Sequence, residues 1–148
     1  MESYPDFIRL FELFNEHDVE YMIVGGYALA FYGAPRYTGD IDVLVRPERR
    51  NARHILAALD EFGFGSVGLE SADFENPNQV IQLGRPPVRV DLITSISGLT
   101  WEEAVSGIVN GRYGNVPVRF IGLEQFIANK RACARKKDLA DLEALGAG

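Results

Sequence analysis

Cysteine and histidine are almost missing from this 148-residue chain: Cys133 stands alone, and His17 and His54 are the two imidazoles. One thiol can neither close an internal disulfide nor build a structural thiolate zinc site, so a reducing, cytosolic setting is the expectation. Neither histidine has a nucleophile or acid at a telling distance in sequence, and both read as structural or surface residues. Cys133, set among alanines, reads as a small buried hydrophobe. No apolar run approaches the ~20 residues of a membrane span. The opening MESYPDF lacks the basic and apolar regions of a secretory signal, so no membrane partner is expected. A positive excess is missing too. The formal charge is −6, which argues against indiscriminate coating of nucleic acid but leaves room for a local basic surface.

The chain has 47% hydrophobic residues and 24% charged ones, a balance that suits a folded domain with a real core and excludes a disordered chain. One domain is expected over 1–148, with a core to about residue 121 and a short helical tail from about 122. Phe7, Leu10, Phe11 and Phe14 recur at helical spacing, after a cap at Ser3 with Pro5 in the first turn, and this helix is predicted to end near His17-Asp18. VEYMIV, residues 19–24, reads as a buried strand broken by Gly25-Gly26, with a short helix from Ala28 to Phe31 stopped by Gly33 and Pro35. Pro47 opens a helix whose apolar face is Ala52, Ile55, Leu56, Leu59 and Phe62, with Gly63 as its stop. Residues 79–83 and 88–93 read as two strands of a hairpin. Trp101 to Val109 reads as a short helix, 111–121 as a hairpin turning at Gly114-Asn115, and Leu123 to Leu145 as helix interrupted near Lys137-Asp138. Strands and helices alternate without a clean βαβ rhythm. The expected class is therefore α/β (α+β), a mixed sheet flanked by helices.

Asp40-Ile41-Asp42-Val43 is the stretch that carries chemistry. In a strand, side chains alternate faces, so Asp40 and Asp42 point the same way, about 7 Å apart, while Ile41 and Val43 pack on the other side. Like charges this close disfavour each other's ionisation unless a cation lies between them. A third acid on a later strand, Asp91, suggests a site for a hard divalent ion such as Mg²⁺. The plainer alternative is a solvated strand face or a calcium-like structural site, and for Asp91 an ordinary solvent-facing strand residue. Upstream, strand–Gly25-Gly26–helix is a device that brings backbone amides close to an anion.

The ordered set Val24-Gly25-Gly26, Asp40-Ile41-Asp42-Val43 and Asp91, with thirteen residues between Gly26 and Asp40, resembles the nucleotidyltransferase superfamily with the polymerase-beta-like fold. The wider run GGYALAFYGAPRYTGDIDVLV is similar to small bacterial members related to abortive-infection and toxin–antitoxin systems, and KRACARKKDLADLEAL is similar to their tail. Tyr27 departs from the pattern, since many relatives carry a small or hydroxyl residue there. A large helical second domain, which sets acceptor choice in bigger relatives, is also missing. The resemblance implies an enzyme that moves a nucleoside monophosphate from an NTP such as ATP to a hydroxyl on tRNA or a partner protein. Two Mg²⁺ ions, with Mn²⁺ an acceptable substitute, would be held by Asp40, Asp42 and Asp91, and Asp91 would alternatively take the proton of the attacking hydroxyl. Gly25 and Gly26 would offer amides to the triphosphate. Arg36 and Thr38, in the loop entering the diaspartate strand, and Lys130, in the densest basic cluster, are the other nucleotide-binding candidates. Arg49, Arg50 and Arg53 form a stripe that could meet an RNA backbone, although a solvated helix face explains them as well. The other class of function is a catalytically weak nucleotide- or partner-binding module of a toxin–antitoxin pair.

Overall fold

In the computed structural model, which describes residues 4–34, 39–65, 67–85 and 87–147, the amphipathic patterns resolve into six helices and six strands. In chain order they are α1 (Pro5–Glu16), β1 (Tyr21–Val24), α2 (Gly25–Phe31), β2 (Asp40–Val45) and α3 (Arg49–Leu59). Then come β3 (Val80–Arg85), β4 (Val88–Ile93), α4 (Trp101–Val105), β5 (Val109–Tyr113), β6 (Val116–Phe120), α5 (Leu123–Cys133) and α6 (Lys136–Ala144). The strands form one mixed sheet in the order β3-β4-β2-β1-β6-β5. β1 runs antiparallel to β2 and parallel to β6, while β2 and β4 are parallel. The mixed α/β class read from the sequence is the class observed. No helix among the described residues is long and apolar enough to cross a membrane.

The core follows from the two periodicities. β1 is buried at all four positions, as expected of a strand with neighbours on both edges and cover on both faces. α1 buries Phe7, Leu10, Phe11, Leu13 and Phe14, and its rings meet the sheet at Tyr21 and Tyr113 with centroids 5.5–6.0 Å apart. α3 buries Ala52, Ile55, Ala58 and Leu59. Beyond Leu59 the chain widens into a π-type turn over Asp60–Phe64, in which Gly63 adopts φ 114° and ends the helical path.

Asn51, in the first turn of α3, is 1% exposed and fully used. Its Oδ1 accepts from the Glu20 backbone N–H at 2.7 Å, and its Nδ2 donates to the carbonyls of Glu20 and Arg46 at 3.0 Å each. One side chain thereby ties the entry of β1 to the exit of β2, holding together the strands that frame the acids.

Several boundaries differ from the sequence reading. Helix α2 starts at Gly25 itself, so the glycines open the helix instead of separating it from the strand. α4 ends at Val105, and Val109 instead begins β5 opposite Phe120; the Thr100–Glu103 capping box starts this helix, but five residues are all it has before Gly107. The last helical stretch breaks at Ala134, which takes φ 53°, and not at Lys137-Asp138. Asp138 instead lies in the first turn of α6, accepting from the backbone N–H of Arg135 at 3.1 Å. The expected cap at Ser3 and stop at Pro35 fall outside the described residues.

Replacing Asn51 by Ala should leave the Glu20 backbone N–H without its acceptor, while the Glu20 and Arg46 carbonyls keep the N–H groups of Arg46 and Glu48, and cost about 1–3 kcal/mol. Urea unfolding monitored by circular dichroism should show the loss as a lower midpoint with an unchanged slope.

Candidate active site

The carboxylates meet because β2 and β4 are parallel neighbours in a fixed register. Asp40 lies opposite Arg89 and Asp42 opposite Asp91, so residues about fifty positions apart share one face of the sheet. One oxygen from each of Asp40, Asp42 and Asp91 falls within 4.8 Å of the other two. The alternation that put Asp40 and Asp42 on one face in the sequence is the geometry found.

On the other side of β2, antiparallel pairing sets Val24 opposite Asp42. The chain then turns into α2 at Gly25, which adopts φ 66°, and a β-carbon there would collide with the Asp42 carboxylate. Glycine is needed twice at this position, for its backbone angle and for its missing side chain. Gly26 is buried one residue further along and is not among the residues lining the cleft described next.

Asp42 opens onto a cleft of about 420 Å³. Gly25, Ser95, Asn129, Lys130, Cys133 and Arg135 are among its other lining residues. Burial, reinforced by the charges of Asp40 and Asp91, pushes the Asp42 carboxyl up to about 6 from its ordinary 3.8. Burial likewise raises Asp40, with a hydrogen bond and charge repulsion from Asp91 adding to it, against the pull of Arg89. The cluster thus holds more negative charge than its surroundings neutralise. Three hard oxygen donors in that condition fit a hard divalent cation.

Lys130 is 6% exposed, so the sequence candidate does reach the cleft, but as part of a buried ion cluster. Its Nζ lies 3.1 Å from Asp138 Oδ1 and 3.2 Å from Asp141 Oδ2, and it sits 5.3 Å from the centre of the Phe126 ring. Asp138 also accepts from Arg135 Nε at 2.7 Å. Burial alone would raise the Asp138 carboxyl, yet the bonds from Arg135 and Lys130 outweigh it and hold it down to about 2.

Arg36 and Thr38 fall outside the described residues. The arginine stripe begins beyond Val45, at the end of β2 away from the carboxylates, and Arg49 lies 4.0 Å from Glu75. His17 lies 3.3 Å from Glu61, and His54 Nδ1 is 3.3 Å from the Asp18 carbonyl; neither lines the cleft. Cys133 is half-buried on the cleft wall rather than a core hydrophobe, because the helix break at Ala134 places it at the end of α5 facing Asn129. Arg89, Ser95, Asn129, Asp138 and Asp141 were not legible as site residues. For Arg89 a signal existed: it stands two positions before Asp91, on the same face of one strand.

Residues 4–147 match the family described as nucleotidyl transferase of unknown function (DUF2204). Among solved structures, the chain is similar to the Thermotoga maritima protein TM1012, at 14% identity and a TM-score of 0.60, over 98% of this chain and 93% of that one. It is also similar to the antibiotic-resistance factor ANT(2'')-Ia, at 17% identity and a TM-score of 0.59, over 95% of this chain and 80% of that one. A third is the lincosamide antibiotic adenylyltransferase LnuA, solved with lincomycin bound, at 13% identity and a TM-score of 0.59, over 95% of this chain and 94% of that one. At such identities the likeness shows the fold. No curated protein matches it in sequence at a significant level. With the family match spanning 4–147 and the mixed sheet carrying its acids on adjacent strands, this chain belongs to that nucleotidyl transferase family.

Proposed function

We propose that the protein transfers a nucleoside monophosphate from an NTP to a hydroxyl acceptor in a divalent-metal-dependent reaction, with Mg²⁺ as the natural ion. The observation that carries this reading is the convergence of Asp40, Asp42 and Asp91 beside Gly25 and a cleft. Asp40 and Asp42 hold the cation. Asp91 would help hold a second ion or take the proton of the acceptor hydroxyl. Bound there, the metal supplies positive charge to the triphosphate and to the departing pyrophosphate. Gly25 lets the backbone of the α2 turn approach the phosphates, and Gly26 continues that turn. Lys130 contributes a positive charge to the cleft wall, fixed in place by Asp138 and Asp141. Arg36 and Thr38 remain candidates for the triphosphate. Because Lys130 belongs to α5, the core and the C-terminal helices act as one unit.

The acceptor is a hydroxyl on tRNA or on a partner protein, in a toxin–antitoxin or phage-defence setting. Small hydroxyl-bearing molecules enter the comparison because ANT(2'')-Ia was solved with adenylyl-2''-tobramycin and LnuA with lincomycin. Purified protein incubated with each labelled NTP and Mg²⁺ should label one of three acceptors: total tRNA, the product of a neighbouring reading frame, or a panel of such antibiotics. Tight NTP binding with no transfer to any of them would leave a nucleotide- or partner-binding module instead.

Asp42→Asn should abolish transfer while the protein stays folded. The sign of its stability effect follows from the raised carboxyl. Asp42 is protonated in both folded and unfolded states below about pH 3, and the penalty of ionising it in the fold is complete above about pH 7. Metal-free Asp42→Asn should therefore be more stable than the parent by about 1–3 kcal/mol at pH 7.5 and no more stable at about pH 3. Thermal melts in chelator across that range check this, and a clear loss of stability at pH 7.5 would mark Asp42 as structural.

NTP binding should require Mg²⁺ or Mn²⁺, and metal affinity should fall as pH drops through about 6, because protons compete for Asp42. Asp91→Asn should lower turnover far more than nucleotide affinity if Asp91 acts mainly in the transition state. Calorimetry with and without chelator, beside turnover rates, tests both, and nucleotide binding indifferent to chelator would sink the metal site.

A further inference from the structure

Arg89 faces the carboxylates without a role in the reaction just described. It precedes Asp91 by two residues on β4, so both side chains leave the same face of the strand. Parallel register also sets it directly opposite Asp40. Its guanidinium donates through Nε to Asp91 Oδ1 at 3.0 Å and through Nη2 to Asp91 Oδ2 at 3.1 Å. The same Nη2 lies 3.8 Å from Asp40 Oδ2. One planar fork thus takes both oxygens of Asp91 and leans on a second member of the cluster. A divalent ion approaching those oxygens meets a cation already seated there.

Charge counting gives this contact a consequence. The three ionised carboxylates carry three negative charges, and Arg89 offsets one of them. A first divalent ion brings the group to neutrality. A second would leave it doubly positive, and only an anionic triphosphate or the withdrawal of Arg89 relieves that excess. Two other ammonium groups act on the acids from further off: Lys130 Nζ is already shared between Asp138 and Asp141, and Lys137, whose charge reaches Asp40 and Asp42, is exposed to solvent.

We infer that Arg89 is an internal counter-ion that competes with divalent metal for Asp91 and so meters how many ions the nucleotide-free triad accepts. The inference rests on the metal-binding reading of the triad. Without nucleotide, Arg89 keeps Asp91 clasped and the site takes one ion. When the triphosphate arrives its negative charge draws Arg89 off Asp91, and the freed carboxylate admits the second. The same contact spares the empty site the full repulsion of its three acids.

Mn²⁺ binding to the nucleotide-free full chain, followed by calorimetry and by the electron paramagnetic resonance of free Mn²⁺, tests this without any assay of turnover. The parent should take one equivalent. Arg89→Met should bind Mn²⁺ about tenfold more tightly, the effect of removing about one charge-assisted competitor, or take a second equivalent. Arg89→Lys, which keeps the charge but loses the fork, should fall between the two. In chelator Arg89→Met should melt below the parent, and Mn²⁺ should raise its melting temperature by more than it raises the parent's. Equal or weaker Mn²⁺ binding by Arg89→Met, with no second equivalent, overturns the inference while leaving the metal site standing. If the parent and both variants fail to bind Mn²⁺ at all, the metal reading falls and takes this one with it. Should Arg89→Met not fold, Arg89→Lys decides alone: tighter binding than the parent supports the competition, and equal or weaker binding overturns it.

Discussion

The parallel pairing of β2 with β4 is the constraint on which the site depends. Strand pairing admits no intermediate registers: a slip of one residue would turn Asp91 to the other face and leave Asp42 beside an apolar side chain. The register is held by burial, since Ile41, Val43, Val90 and Leu92 must stay covered. The hydrophobic effect acting on the intervening residues therefore forces acids together that would otherwise move apart. The raised carboxyl of Asp42 records its burial first and that repulsion second. Packing wins because several buried apolar side chains, each worth about 1.5–3 kcal/mol, outweigh a repulsion of a few kcal/mol.

Around this pairing the chain spends its buried polar groups on alignment. Asn51 ties the loops that begin β1 and end β2. Lys130, Asp138 and Asp141 fix α5 against α6, across a break where Ala134 adopts a left-handed angle. Gly25 lets the α2 turn close over Asp42. Asn51 and Gly25 sit in the first turns of their helices, where the chain leaves or enters the sheet.

The strands and the two-acid face were legible in the sequence because they rest on local rules. Period-two alternation placed Asp40 with Asp42, and apolar runs bounded by turn residues located β2, β3 and β4. Helix ends were less legible where the signal lay in tertiary contact. Nothing local says that Ala134 would take a positive φ or that Asp138 would cap α6, because both answer to Lys130, which needs buried partners. Cys133 was misread for the same reason: the helix break puts it on the cleft wall. Arg89 shares the face of Asp91 by period-two alternation, and its nearness to Asp40 becomes visible once the neighbouring strand is known. Arg36 and Thr38 lie outside the described residues.

The sheet is built from three antiparallel pairs, β1–β2, β3–β4 and β5–β6, joined by the parallel contacts β2·β4 and β1·β6. β3–β4 and β5–β6 are hairpins with two-residue connections and close early, β1–β2 closes across α2, and the parallel joint of β2 with β4 must first bear the entropy of a loop of about forty residues. Asp40 and Asp42 travel with the first pair, and Asp91 and Arg89 with the second. The acids therefore lie on opposite sides of a seam that is sewn late, and until it closes neither unit has a cation site or much repulsion to resist. The clasp between Arg89 and Asp91, made within a single strand, goes into that seam already formed. It lowers the charge that must be brought up to Asp40 and Asp42 when burial of Ile41, Val43, Val90 and Leu92 closes the joint.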